Sequence, residues 1–186
     1  MKNNNLLKLV TAALLAAMTC IVTMIIPIKI PLGNEGYIHP GDAFVMLSGI
    51  ILGPFYGSLS AGIGSALADL LSGYAHYAVA TFLIKALAAM LASLLYHELH
   101  LKSVVICGSL SGIIVTLGYF IYERFIYGSN FAAAIAGVPF NILQTILGVI
   151  LASILMPLLC RVPQIRKILE SKFLNRSLFF LNDMSF

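Results

Sequence analysis

Residues 77–99 read YAVATFLIKALAAMLASLLYHEL, a run long and apolar enough to form a membrane-spanning helix, with Lys85 well inside it. The rest of the 186-residue chain has the same character, because 60% of its residues are hydrophobic, 10% are charged, and the mean hydropathy is +1.00. Further apolar runs lie at about residues 9–28, 42–55, 58–74, 103–127 and 131–160. The runs 42–55 and 58–74, split by the breaker pair Gly53-Pro54, are each shorter than a hydrocarbon core and are expected to be tilted against neighbours or shielded from lipid at one end. The sequence therefore predicts an all-α membrane protein, a single bundle of six transmembrane helices.

The positions of the lysines and arginines predict how this bundle is oriented. With six spans, eight of the eleven fall on one side of the membrane: Lys2, Lys8, Lys102, Arg161, Arg166, Lys167, Lys172 and Arg176. Positive residues accumulate in cytoplasmic segments, so both termini are predicted to be cytoplasmic, with residues 161–186 as a tail on the inner membrane surface. This placement accounts for the net charge of +4 without a nucleic-acid partner.

Polar residues inside the apolar runs are the first candidates for function, because burial in lipid is costly unless they face a cavity. Counted at 1.5 Å per residue, they fall between the outer surface and the midplane. Tyr119 and Glu123 are four positions apart and Asn141 and Gln144 three apart, so each pair shares a helix face. The predicted substrate-binding residues are His39, Asp69, Tyr74, Lys85, Tyr119, Glu123, Asn141 and Gln144.

Several other interpretations of these residues are open. Lys85 paired with Glu123 or Asp69 would be a structural ion pair. Asp42, which follows Pro40-Gly41, is expected to cap a helix rather than to bind a ligand. A carboxylate, Glu123 or Asp69, would also serve as the proton carrier of a stand-alone secondary transporter, although no inverted repeat is detectable.

The familiar signatures of enzymes are absent from the sequence. It contains no Walker A, H-E-x-x-H or G-x-S-x-G motif, so it is not expected to be an enzyme or to hydrolyse ATP itself. The three cysteines lie in apolar stretches without C-x-x-C spacing. We expect no metal and no cofactor.

The first span carries two overlapping pairs of small residues four positions apart. Ala12 with Ala16, and Ala13 with Ala17, would each allow another helix to approach closely. Packing within the bundle and docking of a different membrane protein both fit this pattern.

With these features in view, the chain resembles the S component, the substrate-binding membrane subunit, of energy-coupling factor (ECF) transporters for vitamins. Three segments carry the resemblance. They are the alanine-rich first span, the stretch from 36–42 through Gly53-Pro54 to Asp69 and Lys85, and the segment from Gly118-Tyr119 and Glu123 to Asn141 and Gln144.

The resemblance implies a subunit of the cell membrane that captures a vitamin from outside, beneath its first and third loops. It further implies delivery by reorientation on a transmembrane coupling (T) subunit, which is joined to two cytosolic ATPase subunits. In this family the face that carries Ala12, Ala13, Ala16 and Ala17 contacts the coupling subunit.

The residue types of the predicted site bear on which vitamin binds. Tyrosine rings stack on a planar heteroaromatic ring, while a carboxylate and amides hydrogen-bond its nitrogen and hydroxymethyl groups. Pyridoxine or hydroxymethylpyrimidine fits best, and riboflavin and pantothenate are further candidates.

Overall fold

The computed structural model describes residues 2–25, 28–29 and 37–171, and these are mostly helical. The α-helices are α1 (Lys2–Ile25), α2 (Asp42–Leu52), α3 (Pro54–Leu71), α4 (Ala78–His97), α5 (Val104–Ile121) and α6 (Phe131–Leu159). A π-helical turn, Tyr122–Ile126, extends α5, and residues 163–171 are also helical. Strands β1 (Ile28–Lys29) and β2 (Tyr37–Ile38) pair antiparallel, with Ile28 opposite Ile38.

Four helical segments are long and apolar enough to cross a membrane: Asn5–Ile25, Ala78–His97, Val104–Ile126 and Phe131–Leu159. Their outer faces expose large apolar side chains, among them Leu14, Val79 and Ile113. A surface of this kind suits a helix bundle surrounded by lipid.

The short helix α2 forms the centre of the bundle. All of its 11 residues are buried, and it packs against α1, α3, α4 and α6. At about 16 Å it is too short to cross a hydrocarbon core, but its neighbours enclose it completely. Its residues therefore face protein rather than lipid.

The turn from α2 into α3 depends on Gly53 and Pro54. Gly53 has a φ of 87°, which glycine adopts at little cost, and Pro54 begins α3 at a position where its missing N–H is not needed. Because Pro54 has no N–H, it cannot donate a hydrogen bond to the carbonyl of Ile50, four residues earlier. The His97 side chain lies at this carbonyl instead, with its Nε2 2.6 Å from the Ile50 oxygen. A side chain of α4 thus caps the end of α2.

The helical residues 163–171 cover one end of the bundle, opposite the connections that join α1 to α2, α3 to α4 and α5 to α6. Ile165, Ile168 and Leu169 pack into the hydrophobic core, while Arg166 and Glu170 are exposed and paired at 2.8 Å. This part of the predicted surface tail therefore packs its apolar side on the bundle. Residues 172–186 lie outside the described residues.

Candidate functional site

Successive helices run in alternating directions, which gathers several connections at one end of the bundle. The last turns of α1, α3 and α5 and the first turns of α2, α4 and α6 lie there, and we call it the site end. The other end, with His97 and residues 163–171, is called the terminal end. The polar residues predicted from the sequence lie toward the site end, in two groups.

The first group is an ion pair at the start of α2. Lys85 Nζ lies 2.5 Å from Asp42 Oδ1, and the two side chains are 0% and 1% exposed. Gln144 donates from Nε2 to Asp42 Oδ2 at 2.9 Å, so that one carboxylate joins α2, α4 and α6. Lys85 therefore pairs with Asp42, and not with Glu123 or Asp69 as the sequence had suggested.

The expectation that Asp42 is a helix cap was wrong. Gly41 is the capping residue of α2, and Asp42 lies in the first turn of the helix. An ammonium group at the position of Lys85, fully removed from solvent, needs a carboxylate partner. The Asp42 side chain therefore points toward Lys85 and Gln144 rather than toward the backbone N–H groups at the start of α2.

Glycines allow the helices to approach closely enough for these contacts. A Cβ atom on Gly148 would lie 2.9 Å from the Asp42 Cβ, and one on Gly49 would lie 2.0 Å from the carbonyl oxygen of Ala89. Neither position tolerates a side chain without movement of a helix. The close packing of α2 on α4 and α6 brings the ion pair together.

His39 lies just before α2 and is buried, at 7% exposure. Its Nδ1 is 3.3 Å from Thr23 Oγ1 on α1, and its backbone N–H donates to Gln144 Oε1 at 3.3 Å. Burial lowers the pKa of His39 from 6.5 to about 4, opposed by the Asp42 carboxylate and assisted by the Lys85 charge. At neutral pH the imidazole is therefore uncharged and oriented toward α1.

The second group is centred on Glu123, which is 5% exposed within the π-helical turn. Tyr77 donates its hydroxyl to Glu123 Oε1 at 3.2 Å. Tyr119, on the same helical segment, has its hydroxyl 3.0 Å from Thr81 Oγ1 and its ring 5.3 Å from Lys85 Nζ. Tyr119 thus links the two groups. A π-helical turn is frequently found at functional positions.

An aromatic wall adjoins Glu123. The rings of His76 and Tyr127 stack at 5.0 Å, and the Tyr77 ring lies 5.2 Å from that of Tyr122 and 6.3 Å from that of Tyr119. We use the name aromatic wall for His76, Tyr77, Tyr119, Tyr122 and Tyr127. Of these, only Tyr119 is among the eight predicted substrate-binding residues, although the sequence also places His76 and Tyr77 beside Tyr74 at the outer end of the fourth apolar run.

The remaining candidates lie at the edges of the two groups. Asn141 is half-buried, and within the described part of the chain it makes no hydrogen bond. Asp69 is buried near the end of α3, where its carbonyl accepts the N–H of Tyr74 and closes the turn toward α4. The Tyr74 ring lies 6.5 Å from that of His76, beside the aromatic wall. Within the described ranges, no three His, Cys, Asp or Glu side chains are grouped as metal ligands.

The alanines of α1 divide between two environments. Ala12 accepts a hydrogen bond from Ser60 at its carbonyl, and a Cβ on Gly64 would lie 2.4 Å from the Ala16 carbonyl, so both alanines pack against α3. Ala13 and Ala17 lie one residue further along and are exposed. Ala16 is half-buried, so Ala13 and Ala17 are the two most exposed of the four alanines.

Comparisons with known proteins agree with this architecture. A family model described as "ECF-type riboflavin transporter, S component" matches residues 3–161. The thiamine precursor transporter HmpT of Lactococcus lactis subsp. cremoris is 29% identical over 162 residues, which are 87% of this chain and 92% of that protein. An uncharacterized protein of Pyrococcus woesei is 32% identical over 132 residues, which are 70% of this chain and 86% of that protein.

The fold also matches a solved structure. A chain described under "Structure and mechanism of the S component of a bacterial ECF transporter" aligns with a TM-score of 0.66 at 22% identity. The alignment covers 87% of this chain and 98% of that one.

Proposed function

This chain belongs to the family of S components of ECF-type transporters, and from that premise we propose that it captures a small heteroaromatic vitamin or vitamin precursor, hydroxymethylpyrimidine first among them. Membership confirms the resemblance found in the sequence, and with it the prediction of a membrane transport protein rather than an enzyme. The observation that carries the proposal is the buried carboxylate of Glu123 beside an aromatic wall.

The chemistry of an aminopyrimidine suits these groups. A carboxylate accepts two hydrogen bonds side by side, from an exocyclic amino group and from an adjacent protonated ring nitrogen. Tyrosine rings such as Tyr77 and Tyr119 present flat apolar faces on which a planar ring stacks. The half-buried amide of Asn141 is then the partner for the hydroxymethyl group. The likeness to a thiamine precursor transporter supports the same ligand.

Riboflavin is the second candidate, because the family description names it. Its tricyclic ring offers more stacking area but is larger, and its polar edge has one N–H between two carbonyl groups, so it offers a carboxylate one donor rather than two adjacent ones. Pyridoxine shares the ring nitrogen and the hydroxymethyl groups with the first candidate. Pantothenate has no ring and would leave the aromatic wall without a role.

The proposed topology has six spans and both termini in the cytoplasm; in it the short helix α2 is the second span, enclosed by its neighbours rather than by lipid. The exposed basic residues Lys102, Arg161, Arg166 and Lys167 lie at the terminal end, which suits a cytoplasmic face. The site end then faces outside, where an importer meets its substrate. The proposed partners are a T subunit and two cytosolic ATPases, with Ala13 and Ala17 on the surface that the T subunit approaches.

The test is calorimetric titration of the purified chain in detergent with hydroxymethylpyrimidine, pyridoxine, riboflavin and pantothenate. We expect hydroxymethylpyrimidine to bind without ATP or partner proteins. We also expect Glu123→Gln to weaken binding by at least about tenfold, since it removes a charge-assisted hydrogen bond. Glu98→Gln, an exposed glutamate at the terminal end, is the matched control and should leave binding unchanged.

Two results would overturn the proposal. One is the absence of binding by any of the four compounds to well-folded protein. The other is uptake into vesicles by this chain alone that an uncoupler abolishes, because that behaviour belongs to a proton-coupled secondary transporter.

A further inference from the structure

We infer that Gln144 is a positioning residue that fixes residues 37–42, the junction between β2 and α2, and thereby determines how long a bound substrate is retained. The first part of this inference concerns the protein itself. The second part rests on the proposed function.

Gln144 bonds the junction at two points, His39 and Asp42, with one side chain. It is 3% exposed, its Oε1 accepts the backbone N–H of His39 at 3.3 Å, and its Nε2 donates to Asp42 Oδ2 at 2.9 Å. The two ends of an amide differ, so only one orientation serves both contacts. The reversed amide would place its oxygen against the Asp42 carboxylate and its NH₂ against the His39 N–H.

Helix α1 holds the same junction from the opposite side. A Cβ atom on Gly41 would lie 2.1 Å from Thr23 Oγ1 and 3.3 Å from the carbonyl oxygen of Thr19. Residues 39–41 therefore lie directly on α1 with no room for a side chain at position 41. Gln144 approaches from α6, where Gly148, one turn further along the same face, allows the helix to come near Asp42.

A chain of contacts connects this junction with the aromatic wall. Gln144 bonds Asp42, Asp42 pairs with Lys85, and Lys85 Nζ lies 5.3 Å from the ring of Tyr119. The segment held by Gln144 begins with Tyr37–Ile38, which lies at the site end beside α6. Release of the junction would therefore loosen one side of the site.

Two variants separate the contacts that Gln144 makes. Gln144→Glu keeps an acceptor for the His39 N–H but places a carboxylate oxygen where the NH₂ group faced Asp42, so that two negative oxygens meet. Gln144→Met keeps the length of the side chain and removes both hydrogen bonds without adding charge. Ser153→Ala is the matched control on α6, since among the described residues Ser153 bonds only the carbonyl of Val149.

The experiment measures backbone amide exchange of the 37–42 segment and the dissociation rate of hydroxymethylpyrimidine, both on full-length protein that elutes as a single species in detergent. We expect exchange at His39 to accelerate about tenfold in Gln144→Met, because a hydrogen bond that protects it is lost. Ligand dissociation should accelerate by a similar factor. Ser153→Ala should match the wild type in both measurements.

Each outcome decides part of the inference. Unchanged exchange in both Gln144 variants would overturn the positioning role. Faster exchange with unchanged dissociation would overturn the effect on retention alone. If wild-type protein binds no vitamin, the proposed function fails, the retention claim fails with it, and the exchange measurement still decides the positioning role.

Discussion

Replacement of Lys85 by methionine tests the account of the ion pair at the start of α2. Methionine fills most of the volume of the lysine stem but leaves the Asp42 carboxylate, 1% exposed, with the Gln144 amide and no cation. Removal of one partner from a buried pair costs about 3–5 kcal/mol, because a charge is left buried without its counter-charge. We expect Lys85→Met to be among the most destabilising single changes in the chain.

The expected shift in the melting temperature follows from that free energy. For a protein of this size, a loss of 1 kcal/mol lowers Tm by about 2–4 °C, so Lys85→Met should lower it by about 6–20 °C. Asp42→Asn, which leaves the ammonium group unpaired, should cost a similar amount. The double variant Asp42→Asn with Lys85→Met contains neither charge, and its loss should be clearly smaller than the sum of the two single losses.

The buried cysteines provide the assay. Cys20 and Cys107 are buried, so a thiol-reactive dye should label them only when the protein unfolds, and labelling during a temperature ramp reports the midpoint. Lys167→Met, at an exposed lysine of the terminal end, is the control and should stay within about 1 °C of the wild type. A Lys85→Met midpoint within about 2 °C of the wild type, or strictly additive losses in the double variant, would refute the reasoning.

Three further predictions concern other contacts of the site. Tyr77→Phe removes the hydroxyl that donates to Glu123 and should weaken vitamin binding about three- to tenfold in titration calorimetry, while Tyr56→Phe, in the first turn of α3 at the terminal end, should leave it unchanged. The pKa of His39 is lowered from 6.5 to about 4 in the folded protein, so between these pH values the imidazole binds a proton in the unfolded chain but not in the folded one. Tm should therefore be steady above pH 6.5 and fall as the pH is lowered toward 4, and it should fall less in His39→Gln. Gly49→Ala places a methyl group 2.0 Å from a carbonyl oxygen of α4 and should lower Tm by several degrees in the same dye assay.

Much of the fold could be predicted from the pattern of apolar runs and breakers. The turn at Gly53-Pro54 follows from the left-handed backbone that glycine adopts and from the preference of proline for the first turn of a helix. Counting residues from the helix ends brought Lys85, Glu123 and Gln144 toward one end of the bundle, where the structure has them. Regular rise along a helix makes depth predictable from sequence.

Rotation about the helix axis could not be predicted in the same way. The sequence offered Glu123 and Asp69 as partners for Lys85, and only the packing of α2 against α4 and α6 brings Asp42 to it instead. The π-helical turn shifts Glu123 relative to Tyr119 in a way that a regular helix does not anticipate.

Burial within the bundle could be predicted only in part, from the shortness of the run that forms α2. Helix α2 is apolar like the lipid-facing helices, and composition does not distinguish an enclosed helix from one that meets lipid. For the same reason the alanine pairs of α1 looked equivalent, although Ala12 packs inside and Ala13 is exposed. One residue turns a side chain by about 100° around a helix, which is enough to exchange the two environments.

The most direct test of the central claim is mass spectrometry of the small molecules released when the purified wild-type chain is denatured. A substrate-binding subunit that retains its ligand should release hydroxymethylpyrimidine in an amount comparable to the protein, and Glu123→Gln should release much less. Release of riboflavin instead would contradict the assignment of the ligand. Release of none of the candidate vitamins, from protein that also fails to bind them when they are added, would contradict the claim that this bundle is a vitamin-binding subunit.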